Sequence, residues 1–189
     1  AFQDHNVLLE LPPPNLPGWH QFEIAGTALA VLRLLGAGDP EAAVTHAQWP
    51  GRLQRLRAGR LAEKLPQGEL WLDGGHNPAA GEVLSVTLAE MTKRPLHLVC
   101  GMMNSKDAAN FLRPLAPADA LWAVDIPGEA NGLPKGDLAK VATKAGFSAK
   151  TAPGVEDALD AIATTSPGAR VLLCGSLYLA GDILRINSE

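Results

Sequence analysis

From residue 69 onward, short apolar runs take turns with helix-patterned stretches, and this alternation constrains the fold more than any other feature of the chain. The apolar runs are ELWLD (69–73), LHLVCG (96–101), ALWAVDI (120–126), FSAKT (147–151) and RVLLCG (170–175). Between them lie PAAGEVLSVTLAEM, KDAANFLRPL, PKGDLAKVATKAG and VEDALDAIATT, each with apolar residues at helical spacing. Parallel strands need crossovers of about this length, so the order predicts a doubly wound α/β fold, Rossmann-like, with a mostly parallel sheet and helices on both faces. In such sheets the loops at the carboxyl ends of the strands form the binding crevice. Here those loops are DGGHN (73–77), GMMNSKD (101–107) and Gly175-Ser176.

The first part of the chain reads differently. NVLLELPPPNLPG (6–18) suggests one strand and a Pro-rich turn with no partner before it, and HQFEIAGTALAVLRLLG (20–36) is a helix closed by GAGDP, after which PEAAVTHA starts another. WPGRLQRLRAGRL (49–61) has linker punctuation followed by alternation suited to a strand or hairpin. Residues 1–48 are therefore expected to be the remnant of one domain and residues 49–189 a second domain. With a start that lacks Met, on a strand without its neighbour, the chain is expected to be a fragment.

Several function classes drop out on composition. A net charge of −4, with 16 scattered Lys and Arg, leaves no basic footprint for nucleic acid. No apolar run approaches the ~20 residues of a bilayer span, and AFQDHNVLLE lacks the order of a signal peptide, so a cytoplasmic protein without membrane partners is expected. Cys100 and Cys174 each end an apolar run, which predicts buried free thiols.

The stretch LWLDGGHNPAA (70–80) carries the chemistry. One reading is punctuation alone: Asn77 caps a helix and Pro78 occupies its first position. The other reads Asp73 and His76 as a nucleotide contact, since a carboxylate at a strand end accepts ribose hydroxyls and glycines let the backbone approach the ligand. Arg52 is either a solvated linker charge or a fork for phosphate oxygens. The remaining signals are bland. GMMNSKD lacks the second Gly of a Walker A loop, and neither G-x-G-x-x-G nor HExxH spacing occurs, so no metal ligands are assigned and a dinucleotide dehydrogenase is disfavoured. His97 is expected to be a satisfied core residue, and Ser176 to cap the last helix.

Together, LPGWHQ (16–21), WPGRLQRL (49–56), LWLDGGHNPAA (70–80), GMMNSKDAANFLRPLAP (101–117), IPGE (126–129) and CGSLYLAGDIL (174–184) resemble the second half of bacterial folylpolyglutamate synthase/dihydrofolate synthase, in the Mur ligase superfamily. The family's Asp-Gly-Ala-His-Asn-Pro signature is matched except that Gly75 replaces Ala. The resemblance implies an ATP- and Mg2+-dependent ligase, monomeric when intact. Such an enzyme phosphorylates a carboxylate of dihydropteroate or a folate and lets L-glutamate attack the acyl phosphate. It implies that Asp73 binds ribose, that Arg52 reaches the phosphates, and that His76 lines the cleft, with Arg52 and His76 as the catalytic candidates. Residues 1–48 would be the end of a P-loop ATPase domain, with the P-loop, the magnesium ligands and the folate surface upstream, so that the isolated chain is inactive. Ile24 stands where the family usually has an adenine-facing Asn. The rival expectation is a non-catalytic α/β nucleotide-binding or interaction module.

Overall fold

Neighbouring residues of each long apolar run point to opposite faces of one sheet, and two separate cores form from them. The computed structural model describes residues 1–5 and 7–188, in two units, Ala1–Pro50 and Gly51–Glu189. Asn6, the first residue of the expected N-terminal strand, and Glu189 lie outside the described residues.

In the first unit β1 (Phe2–Asp4) pairs antiparallel with β2 (Val7–Leu9), followed by α1 (His20–Leu35) and α2 (Pro40–Thr45). The expectation that the first strand lacks a partner is thus corrected, because the polar-containing run FQD supplies one. Arg33 of α1 ties the hairpin down through Asp4, 2.6 Å away. Gly36, at φ 62°, closes α1, and the Asp39 carboxylate accepts from the Glu41 and Ala42 amides to open α2 with Pro40 at its first position. Trp19, Val31, Leu34 and Leu35 are exposed on this unit.

The second unit is built on β3 (Gln54–Leu56), β4 (Glu69–Leu72), β5 (Leu96–Cys100), β6 (Ala120–Ala123), β7 (Ala149–Thr151) and β8 (Arg170–Cys174), in spatial order β3-β4-β8-β5-β6-β7. Only the edge strand β3 runs antiparallel. The crossovers α3 (Pro78–Glu90), α4 (Ala108–Leu112) and α5 (Lys135–Lys144) pack on one face, with Leu84, Phe111 and Leu138 meeting Leu98, Leu121 and Leu172. α6 (Val155–Thr165) and α7 (Leu177–Ser188) cover the other, where Leu159, Ile162 and Ile183 meet Leu72, Val99, Val171 and Leu173. The chain steps outward to β7 under the first layer, and α6 then returns it over the second to insert β8 between β4 and β5. The helices that follow β4 and β8 therefore leave on opposite faces. That divergence is the topological switch point, and sheets of this kind place their binding crevice above the carboxyl ends of such a strand pair.

Two core expectations meet different outcomes. Cys100 and Cys174 are buried free thiols, paired in register on β5 and β8. A hydrogen bond with Cys100 and complete burial push the Cys174 thiol well above its usual range, which makes it an inert core group. His97 is buried but not satisfied, since its Nδ1 has no hydrogen-bond partner. The expectation of a satisfied core histidine is corrected on this point. On β5 the ring shares its face with Val99 and, on the neighbouring β6, with Trp122.

Candidate functional site

The crevice is assembled from two segments twenty residues apart in sequence, 51–53 and 73–77, held together by backbone-directed bonds. As β4 ends, the Asp73 amide continues the parallel ladder to Leu173 O at 2.9 Å. The next residue, Gly74, turns aside and donates to Gly51 O at 2.7 Å. The Asp73 side chain is 7% exposed, and its two oxygens act in different directions. Oδ1 accepts from the Gly75 amide at 2.6 Å within the turn, and Oδ2 accepts from the Leu53 amide at 2.8 Å on the facing segment. An ionised acceptor roughly doubles the strength of such bonds, so one carboxylate fixes the turn and clamps the edge segment to it.

The clamp explains a backbone outlier. Leu53 has φ 39°, a region that costs a branched residue about 1–3 kcal/mol, and it is held there by the bond to Asp73 and by a side chain only 3% exposed. Arg52 lies between the two tie points, Gly51 O–Gly74 N and Leu53 N–Asp73 Oδ2, with an exposed side chain. An exposed guanidinium thus springs from a rigid base.

His76 follows on the same turn. Its Nδ1 lies 2.9 Å from Gly74 O, and because a carbonyl oxygen only accepts, Nδ1 is the donor. In the neutral ring Nε2 is then the acceptor. Asn77 accepts from the Ala80 amide at 2.9 Å and Pro78 opens α3, as the punctuation reading requires. Across the crevice the Ser176 hydroxyl accepts from the Tyr178 amide at 3.1 Å, so it caps α7 as expected, and the Gly175 amide donates to Gly75 O at 3.0 Å.

One glycine is required here. At Gly74 a Cβ would meet only the end of the exposed Leu177 side chain, which can swing aside. Gly175 has φ 106°, and a Cβ there would lie 2.7 Å from both Cys100 Sγ and Gly101 O. The third carboxyl-end loop, 101–107, is braced by Leu133 N to Met102 O at 2.7 Å and Asn104 N to Asn131 O at 3.0 Å.

The three residues singled out from the sequence, Arg52, Asp73 and His76, are all on the two laced segments. Sequence reasoning missed Gly51 and Leu53, whose backbone completes the site; the only signal was the Pro-Gly pair before Arg52. Ile24 belongs to the first unit, on α1, and is 57% exposed. Among the described residues no three His, Cys, Asp or Glu side chains converge to hold a metal ion, so no step is assigned to one. No helix among them is long and apolar enough to cross a membrane.

Known proteins share this fold. The family model of the Mur ligase glutamate ligase domain matches residues 51–177. A probable bifunctional folylpolyglutamate synthase/dihydropteroate synthase of Halobacterium salinarum is 33% identical over 185 residues, covering 95% of this chain and 21% of that protein. The solved Mycobacterium tuberculosis folylpolyglutamate synthase complexed with ADP superposes at TM-score 0.80 with 25% identity, over 93% of this chain and 42% of that one. A bifunctional folylpolyglutamate synthase/dihydrofolate synthase from Yersinia pestis, complexed with AMPPNP and Mn ion, gives 0.77 with 28% identity, over 97% and 42%. The chain therefore spans well under half the length of each of these relatives.

Proposed function

Since the chain belongs to the Mur ligase family through its glutamate ligase domain, we propose that it is the nucleotide-facing C-terminal part of an ATP-dependent ligase. The reaction would join L-glutamate to dihydropteroate or a folate through an acyl phosphate. Residues 1–48 would be the end of the preceding ATPase domain. The observation that carries this reading is the laced crevice at the switch point, where Arg52 and His76 stand on one rigid base. Adenine nucleotides in two of the solved relatives support the ligand class.

Within that reaction the residues have distinct work. Asp73 sets the turn and offers a ribose hydroxyl an anionic acceptor. Arg52 neutralises charge that spreads over the phosphoryl oxygens during transfer, and His76 directs Nε2 into the cleft beside them. ATP is the phosphoryl donor. The divalent ion that accompanies it would be held by groups other than the described residues.

The test uses the longer product of the same reading frame, extended upstream to a GxxxxGK[ST] loop. It should release phosphate from ATP only when a folate or dihydropteroate and L-glutamate are both present, whereas the 189-residue chain alone should show no turnover above a heat-killed control. In that longer protein Arg52→Ala should depress kcat by about one to two decades while changing the apparent ATP constant by less, because a grip that tightens in the transition state acts on turnover. Wild-type values for both turnover and the apparent ATP constant would return Arg52 to a solvated linker charge. A second reading, a non-catalytic α/β module, gains if no in-frame P-loop precedes these residues.

A further inference from the structure

A second cavity of about 590 Å3 opens at the other end of the sheet, among the amino ends of β5 and β8, the end of α3 and the short turn Arg113–Leu115. Small-molecule sites commonly occupy about 300–1,000 Å3, so the space is of ligand size. Leu88, Leu96 and Leu115 give it an apolar wall, and Lys93, Arg94 and Arg170 give it a basic one. The one acid among its lining residues, Asp119, already accepts from the Leu96 amide at 2.8 Å.

The charge around this pocket does not balance. Glu69 faces three guanidiniums: Arg170, whose Nε and Nη2 are each 2.8 Å from Oε2, Arg55 at 3.3 Å and Arg94 at 3.7 Å. Among the lining residues Lys93, Arg94 and Arg170 face Asp119 alone, and Glu69, paired with both arginines, takes up one charge more, which leaves one cation over. Backbone carbonyls orient the guanidiniums without neutralising them. Arg170 donates to Thr92 O, and Arg94 to Gly168 O, each at 3.1 Å. An ionic clamp across the amino ends of β3, β4 and β8 accounts for buried Arg170. It does not account for Lys93, exposed on the lining of the cavity, and it leaves Arg94 exposed there too, though held by Glu69 and by the Gly168 and Gln67 carbonyls.

We propose that this pocket binds a small organic anion, a carboxylate or a phosphate monoester on a flat apolar body. Arg94 and Lys93 grip the charged group, Arg170 holds the field from behind, and the three leucines cover the body. A guanidinium fork matches carboxylate and phosphate oxygens alike, so both head groups belong to the class.

The probes are 1-naphthoate, 1-naphthyl phosphate, neutral 1-naphthalenemethanol and inorganic phosphate, titrated into the 189-residue chain with amide NMR shifts as readout. Naphthoate or naphthyl phosphate should shift the amides of residues 88–96 and 115–119. Neutral naphthalenemethanol and inorganic phosphate should each bind about tenfold more weakly, one lacking the charge and the other the body. The double variant Lys93→Ala/Arg94→Ala, at two exposed positions, should weaken the aromatic anions about tenfold with its melting curve unchanged. The relative strength of the two aromatic anions identifies the preferred head group. Shifts confined to the 73–77 turn, equal binding of the neutral analogue, equal binding of phosphate alone, an insensitive double variant, or no shifts at about 1 mM probe would each overturn the proposal.

Discussion

Asp73 was singled out as a ligand contact, and its carboxylate is also the joint that holds the crevice together. Removing it strands the Leu53 and Gly75 amides, and each lost bond to a charged acceptor costs about 1.5–3 kcal/mol. Part of that returns if Leu53 relaxes from φ 39°, which relieves about 1–3 kcal/mol of strain. Asp73→Ala should therefore lower stability by a net ~1–4 kcal/mol, and Asp73→Asn, which keeps one acceptor oxygen, by about half as much, read from urea midpoints. A ribose contact predicts something further in the longer protein, an apparent ATP constant raised by about one to two decades in both variants. If the two variants lose stability in this order while nucleotide dependence stays at the wild-type value, Asp73 is a joint and nothing more. Local sequence made the turn and the Asn77 cap legible. It could not reveal the Leu53–Asp73 bond, because no local pattern marks a partner twenty residues away.

At the level of elements, legibility followed periodicity. β4 to β8 and α3 to α6 all fall where alternating runs and helical spacing put them, since each run is bounded by Gly, Pro or Asp and buries one definite face. β1 escaped notice because three residues, FQD, carry no period. β3 was open between strand and hairpin because its pairing with β4 depends on the Gly51–Leu53 clamp. Gly81 in α3 shows how tertiary contact overrides propensity. Alanine is the better helix former by about 1 kcal/mol, but a Cβ at Gly81 would overlap the Phe111 carbonyl oxygen of α4. That atom is backbone at a buried helix contact and cannot swing aside, and overpacking costs about 1–3 kcal/mol. Gly81→Ala should accordingly destabilise the protein by a net of up to ~2 kcal/mol in thermal unfolding. A melting temperature above wild type would mean that α3 and α4 slide apart without loss, and that their contact does not set the height of the turn that carries His76.

The whole molecule should respond to acid in two steps, because two ionisable groups at the amino end of the sheet are shifted downward for different reasons. Burial lowers the His97 pKa from its ordinary 6.5, with Lys150 adding to the shift and Asp119 opposing it. The unfolded chain thus takes up a proton before the native state does, and the stability tied to neutral His97 is complete above about pH 6.5 and lost as the pH falls toward its native value. Burial alone would raise Glu69, but hydrogen bonds from Arg170 and Trp71 and the charges of Arg170 and Arg55 outweigh it and hold the carboxylate below its ordinary 4.5. Its contribution is present above that ordinary value and disappears as the pH drops through the native one. His97→Leu removes a buried nitrogen without a partner and places an apolar side chain beside Val99 and Trp122. Its urea midpoint at pH 7 should match or exceed that of wild type, and the upper step should flatten. Glu69→Gln should erase the lower step and lower the midpoint at pH 7, since it leaves Arg170, 6% exposed, without its anion. Midpoints measured from pH 7.5 down to pH 3.5 separate the two assignments. An upper step that persists unchanged in His97→Leu would move it to one of the other four histidines, and a lower step that survives in Glu69→Gln would detach acid unfolding from the arginine cluster.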